Sequence, residues 1–204
     1  VVLTSVSTSV IANEQSQNHN LNSSQKHQQV NDLLPKLELA TLSQGSFIQY
    51  KHLKVLTKPI VSKGQVIIDP TIGLLWKTEQ PINSVLRITE QDIFEIKDNA
   101  LVTNSQQASK QFSTYLFAIF KGDWSLLAND FIVDVVEQSK NSWVISLTPK
   151  SERISKMFSK ITLNGANNID KITLFETGGN FTEIKLLMTS VESLNELDRG
   201  YFAL

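Results

Sequence analysis

Three histidines are the side chains of this sequence best suited to acid–base chemistry or metal binding. His19 and His27 lie in a polar tract typical of a solvated tail, and His52 follows Lys51 in a short alternating segment typical of a strand surface. No His-x-x-x-His or similar ligand spacing accompanies them. The chain has no cysteine, which excludes disulfides, thiolate catalysis and cysteine-ligated metals. We therefore expect no metal site and no cofactor.

The carboxylates and glycines form no recognisable catalytic pattern either. Glu79, Asp123 and Asp130 are scattered among expected loops, and nothing in the sequence pairs them. There is no Gly-x-Ser-x-Gly motif and no phosphate-binding glycine loop. Gly178-Gly179 lies between two strand-like segments and predicts a hairpin turn. This pattern favours a protein that is not an enzyme, although a fold alone never excludes a grafted site.

The charge balance argues against a nucleic-acid partner. The chain has 19 basic and 20 acidic side chains, a net charge of −1, whereas nucleic-acid-binding proteins carry a basic patch or stripe. No run of like charges marks a polybasic membrane anchor or an acidic tail. No segment approaches the roughly 18 apolar residues of a membrane span. We expect a soluble protein and a monomer.

The N-terminal residues indicate export. Residues 1–12, VVLTSVSTSVIA, end in Val10-Ile11-Ala12, which resembles a signal-peptidase site. We interpret them as a residual signal peptide, which predicts a periplasmic protein whose mature chain begins near Asn13. Residues 13–29 are rich in Gln, Asn and Ser and predict a disordered leader. Residues 30–204 remain, a length that suits one mainly β domain.

Alternation of apolar and polar side chains dominates the chain from residue 45 onward. It is found in residues 45–52, 74–79, 84–89, 93–97, 143–148, 160–163, 171–176 and 182–187. A period of two residues predicts strands with one buried and one solvated face. Turn-forming residues separate these segments. The pattern predicts a mainly β fold: a strongly curved antiparallel sheet, or half-open β-barrel, covered by a few helices.

Two segments break the alternation and predict the covering helices. Residues 31–42 combine a capping residue, a proline in the first turn and an apolar stripe. In residues 109–129, large apolar side chains recur at the spacing of one helical face: Phe112, Tyr115, Leu116, Ile119 and Phe120. We expect both helices to lie across the concave side of the sheet.

The apolar faces of the sheet and the helix define a candidate cavity. Many of these side chains will form ordinary core, but a space left between sheet and helices would admit a hydrocarbon chain. The residues predicted to line such a ligand-binding cavity are Leu74, Trp76, Leu86, Ile88, Phe94, Ile96, Phe112, Leu116 and Ile119.

An ordered set of short motifs resembles the outer-membrane lipoprotein carrier protein (LolA-like) family. Residues 64–81, GQVIIDPTIGLLWKTEQP, resemble its signature of a glycine, an apolar strand, a proline turn, a strand that contains a Trp and a second proline turn. Upstream, Phe47-Ile48-Gln49 matches the family's Phe-x-Gln, and residues 147–150 and 179–184 follow in the expected order. The similarity covers residues 33–204.

This resemblance implies a periplasmic carrier or chaperone whose apolar interior holds acyl chains beneath helical lids. Its partners would be an acylated lipoprotein or lipid cargo, an inner-membrane export complex and an outer-membrane acceptor. Trp76 falls at the family's interior Trp, and Pro81 at the turn that follows it. The chain departs from the family at Asp69, where an arginine that latches the lid is common. The alternative is a periplasmic lipid-binding sensor or regulatory module on the same fold.

Overall fold

Antiparallel strands dominate the computed structural model, which describes residues 41–103, 107–139 and 142–204. The strands are β1 (Ser43–His52), β2 (Ile60–Asp69), β3 (Gly73–Gln80), β4 (Ser84–Ile88), β5 (Ile93–Lys97), β6 (Ala100–Thr103), β7 (Phe131–Gln138), β8 (Trp143–Pro149), β9 (Phe158–Gly165), β10 (Ile169–Glu176) and β11 (Phe181–Ser190). They form one sheet in the order β6-β5-β4-β3-β2-β1-β11-β10-β9-β8-β7. Within the described strands, β6 and β7 stand at opposite edges, so the sheet does not close into a barrel.

The helices in the described residues are α1 (Gln107–Lys121), α2 (Trp124–Asp130), α3 (Glu152–Ser155) and α4 (Glu196–Ala203). The first two occupy the segment that was predicted to be helical. Asp123 caps α2, because its carboxylate accepts a hydrogen bond from the Leu126 amide at 3.0 Å. That bond lowers the pKa of the Asp123 carboxyl group. The prediction of a mainly β fold with helical cover is confirmed.

Several predicted N-terminal features lie outside the described residues. These are the signal peptide (1–12), the polar leader (13–29) and most of the first helix (31–42). The end of that helix is corrected, since Thr41 and Leu42 are described and are not helical. The reason is strand pairing: Ser43 already lies opposite Ser190 and Ile68, so β1 begins there.

The first and last strands pair in the middle of the sheet. The β1–β11 register runs from Ser43 opposite Ser190 to His52 opposite Phe181. Every other neighbouring pair joins strands that are consecutive in the sequence. The sheet therefore consists of two meanders, β1–β6 and β7–β11, joined along their central strands.

The positions of α1 and α2 follow from this topology. They connect β6, at one edge of the sheet, with β7, at the opposite edge. A chain that links the two edges of an open sheet must pass over one of its faces. The face that these helices cover, called the inner face below, carries Phe47 and Trp76, which share one buried cluster with Tyr115, Leu116 and Phe120.

The outer face of the sheet is also buried in part. Phe202 and Tyr201 of α4 pack with Ile67 and Leu75 in a second, smaller cluster. Lys77 Nζ lies 2.8 Å from the Asp198 carboxylate of α4, whose side chain is only 2% exposed. The expectation of a solvated outer face therefore does not hold at β2 and β3, because the C-terminal helix covers them.

Candidate functional site

A cavity of about 430 Å³ lies between the inner face and α1. Its volume falls within the usual range for small-ligand sites, roughly 300–1,000 Å³. The residues that line it come from seven strands and one helix: Gln49, Lys51, Trp76, Thr78, Leu86, Ile88, Ile93, Leu116, Phe158, Leu174, Glu176, Thr182 and Ile184. Both halves of the sheet therefore contribute walls, and the helix contributes the cover.

Close backbone packing beside the cavity sets the position of Trp76. The Trp76 and Phe47 rings are in contact, with centroids 4.0 Å apart and planes tilted by 30°. Phe47 lies over Gly64, where a Cβ atom would come within 3.0 Å of the Phe47 ring and collide with the Lys77 carbonyl. The glycine of the sequence signature is thus required for β1, β2 and β3 to approach one another at this wall.

The lining changes from apolar to polar along the strands. On the inner face of β1, Phe47 is followed by Gln49 and Lys51 as the strand approaches its end at His52. The register places Lys51 opposite Thr182 and Gln49 opposite Ile184. The other polar lining residues, Thr78 and Glu176, also lie at or near the ends of their strands on this side.

We call this polar end of the cavity the mouth. Lys51 and Glu176 form an ion pair there with an N–O distance of 3.9 Å, and their side chains are 44% and 29% exposed. Such an exposed pair contributes little to stability. Its importance is chemical, because it presents one ammonium and one carboxylate group where the cavity meets solvent.

The structure brings four of the predicted cavity residues together at the lining: Trp76, Leu86, Ile88 and Leu116. Leu74 and Ile119 lie in the same buried cluster, at 0% and 1% exposure, but they do not line the cavity. They are core residues beside it. The backbone of Phe112 belongs to α1, but its side chain lies outside the described part of the structure.

The structure corrects the prediction that Phe94 and Ile96 of β5 line the cavity. Phe94 lies opposite Arg87, which lies opposite Leu75 of the outer face. Ile96 is on the same face of β5 and packs against the outer cluster. Ile93 lines the cavity instead. Residues 93–96 carry apolar side chains on both faces, so alternation alone did not identify the inner one.

The polar lining residues were not among the predicted cavity residues, because an apolar pattern alone defined the candidate cavity. The alternation that placed Leu174 on a buried face also places Glu176 there, and Thr182 accompanies Ile184 in the same way. The available signal was a change from apolar to polar along one face, at the same end of several strands.

Asp69 has a local role in this structure. Its carboxylate accepts hydrogen bonds from the Thr71 amide at 2.9 Å and the Thr71 hydroxyl at 2.6 Å. These bonds stabilise the turn between β2 and β3. The turn lies at the far end of β2 from the mouth, since β2 begins at Ile60 opposite Lys51.

The remaining histidine, His52, packs against an aromatic ring. It stacks on Phe181 with ring centroids 4.1 Å apart and planes 10° apart. Across residues 41–103, 107–139 and 142–204, no three His, Asp or Glu side chains are grouped to hold a metal ion. No helix in those ranges is long and apolar enough to cross a membrane.

The solved structures that are similar to this chain come from several bacteria. A LolA superfamily protein from Nitrosomonas europaea is 10% identical, with a TM-score of 0.48 over 82% of this chain and 96% of that chain. LprF from Mycobacterium bovis is 11% identical, with a TM-score of 0.41 over 83% of this chain and 96% of that chain. The MucA/MucB complex of Pseudomonas aeruginosa contains a chain that is 14% identical, with a TM-score of 0.50 over 84% of this chain. This chain spans 60% of that one.

Sequence comparison assigns the family. No curated protein matches the chain. The family whose description is outer membrane lipoprotein carrier protein LolA matches residues 38–204, which include every residue of the cavity lining. This chain therefore belongs to the LolA family.

Proposed function

We propose that this protein is a periplasmic carrier that holds the acyl chain of a lipoprotein or lipid and transfers it from the inner to the outer membrane. The cavity is the observation that carries the proposal. Its depth is lined by Trp76, Ile88 and Leu116, and its mouth by polar and charged residues. An amphiphile matches this distribution when its hydrocarbon lies inside and its head group lies at the mouth.

Binding without catalysis is sufficient for this role. Each methylene group moved from water to an apolar site contributes about 0.8 kcal/mol. Several buried methylene groups therefore hold the cargo firmly. Lys51 and Glu176 at the mouth would contact the head group, or the protein part of a lipoprotein. Release requires an acceptor that competes for the same hydrocarbon chain.

A charge placed in the cavity tests the proposal. Leu116→Glu puts a carboxylate at a lining position on α1, and it should abolish binding of a fluorescent long-chain fatty acid because an unpaired charge facing hydrocarbon is strongly disfavoured. Leu187→Glu makes the same change at a leucine that is 74% exposed on β11, and it should bind as the wild type does. Binding titrations and thermal unfolding of each sample provide the measurement.

A second lining position keeps the test decisive if Leu116→Glu misfolds. Leu86 is only half-buried and also lines the cavity, so Leu86→Glu disturbs the fold less than a change at Leu116. Two results would contradict the proposal. One is a wild type that does not bind the probe, and the other is normal binding by both cavity variants, Leu116→Glu and Leu86→Glu.

Transfer distinguishes a carrier from a regulatory module on the same fold. A carrier should accelerate movement of the fluorescent acyl lipid from donor vesicles to acceptor vesicles. A sensor would hold the ligand and not pass it on. The rate of transfer with and without the protein separates the two functions.

A further inference from the structure

The loop between β1 and β2, residues 53–59, exposes apolar side chains beside the mouth. Val55 is 87% exposed and Leu56 is 48% exposed. Ile60, the first residue of β2, is 46% exposed. The loop follows His52 and so begins one residue after Lys51 of the cavity lining. We call residues 53–60 the mouth loop.

The mouth loop is anchored to the sheet. The Leu56 amide donates a hydrogen bond to the Leu53 carbonyl at 2.9 Å, which closes a turn. The Lys54 amide donates to the Asn180 side-chain oxygen at 3.1 Å, in the turn between β10 and β11. The Lys54 side chain lies over Gly179 of that turn. The two apolar side chains at the tip are therefore presented by a tethered turn.

The charged residues of the chain segment that carries the mouth loop are all basic. Residues 43–68 contain four lysines, Lys51, Lys54, Lys58 and Lys63, and no acidic residue. Lys54, Lys58 and Lys63 are exposed, and none of the three has an ion pair with a described residue. This local excess of positive charge contrasts with the net charge of −1 for the whole chain.

We propose that the mouth loop docks the cavity mouth on an anionic lipid surface. Apolar side chains that flank lysines match the boundary between acyl chains and anionic head groups, where Val55 and Leu56 leave water and the lysines meet negative charge. Docking in this position would place the opening of the cavity against the bilayer. The inference stands on the loop itself and does not require that the cavity hold an acyl chain.

Vesicle binding tests the docking surface. The wild type should cosediment with vesicles of phosphatidylglycerol and phosphatidylcholine, and much less with phosphatidylcholine alone. The double variant Val55→Ser with Leu56→Ser should bind the anionic vesicles at least about tenfold more weakly, because it removes both apolar side chains from the tip. Lys54→Gln with Lys58→Gln should also bind them more weakly and with less dependence on salt.

A matched control shows whether the position matters. Leu187 and Val136 are 74% and 59% exposed on β11 and β7, away from the mouth loop, and their double serine variant should bind vesicles as the wild type does. Three results would overturn the inference. The wild type does not bind anionic vesicles, the mouth-loop serine variant binds them as well as the wild type does, or the control variant loses as much vesicle binding as the mouth-loop serine variant. Fatty-acid binding, measured on the same samples, should be unchanged in all variants, which separates this test from that of the proposed function.

Discussion

At the scale of single residues, Gln49 and Lys51 distinguish the cavity from an ordinary core. Both project from the inner face of β1, on the same side as buried Phe47. A closed core would not place an amide and an ammonium group there, because buried polar groups without partners are costly. Their position at the mouth predicts how an amphiphile is oriented.

Lys51 should favour ligands with an acidic head group. Lys51→Met is expected to weaken binding of a long-chain fatty acid by no more than about fivefold, since the group is partly exposed. Binding of the matching fatty alcohol should be unchanged. Lys171→Met, at an outward-facing lysine paired with Glu183, is the control. Equal losses for the acid and the alcohol would mean that Lys51 does not contact the head group.

The stability costs of truncating two leucines should differ, because one lies in solid core and the other lines the cavity. Leu147 is fully buried and does not line the cavity, so Leu147→Ala should cost about 2–5 kcal/mol of unfolding free energy. Leu116 is 3% exposed but faces the cavity on one side, so Leu116→Ala should cost clearly less. Urea unfolding of both variants without ligand measures the difference. Equal costs would indicate a solid core at Leu116.

At the scale of elements, the helices have different tasks. The pair α1 and α2 crosses the inner face, and α1 supplies the cover of the cavity. The C-terminal helix α4 lies on the outer face and seals Ile67 and Leu75 from water. Its attachment also includes the ion pair between Lys77 and Asp198. A loss of α4 packing should therefore weaken β2 and β3 without altering the cavity lining directly.

The buried ion pair under α4 should matter most when only one partner is removed. Lys77→Met leaves the Asp198 carboxylate buried without its cation, which is expected to cost about 3–5 kcal/mol. The double variant Lys77→Met with Asp198→Leu removes both charges and should be more stable than Lys77→Met alone. Chemical unfolding of the single and double variants gives the comparison. A double variant that is less stable than Lys77→Met would contradict this account.

At the scale of the whole molecule, much of the sheet could be predicted from alternation. The period-two segments of β1, β3–β5 and β8–β11 correspond to observed strands. The strand β7 was missed because its sequence, FIVDVVEQ, carries apolar residues on both faces; Ile132 and Val136 are exposed. The helix α4 was missed because its sequence, ELDRGYFA, is only eight residues long and contains a glycine, which disfavours a helix interior.

The candidate site was less predictable than the sheet. Alternation assigns residues to faces but not strands to neighbours, so it could not reveal that β1 pairs with β11 in the centre. That pairing brings Lys51 beside Thr182 and completes the mouth. The inner face of β5 was ambiguous for a different reason. Phe94 and Ile96 form an apolar pattern on the face opposite to Ile93.

The central claim is that the cavity holds an acyl chain. Native mass spectrometry of the full chain, isolated without detergent from the cells that produce it, tests this most directly. We expect the wild type and Leu187→Glu to carry one acylated molecule per chain, and Leu116→Glu to show the mass of the protein alone. A wild-type protein that arrives without ligand, and that takes up no long-chain fatty acid when one is supplied, would contradict the account.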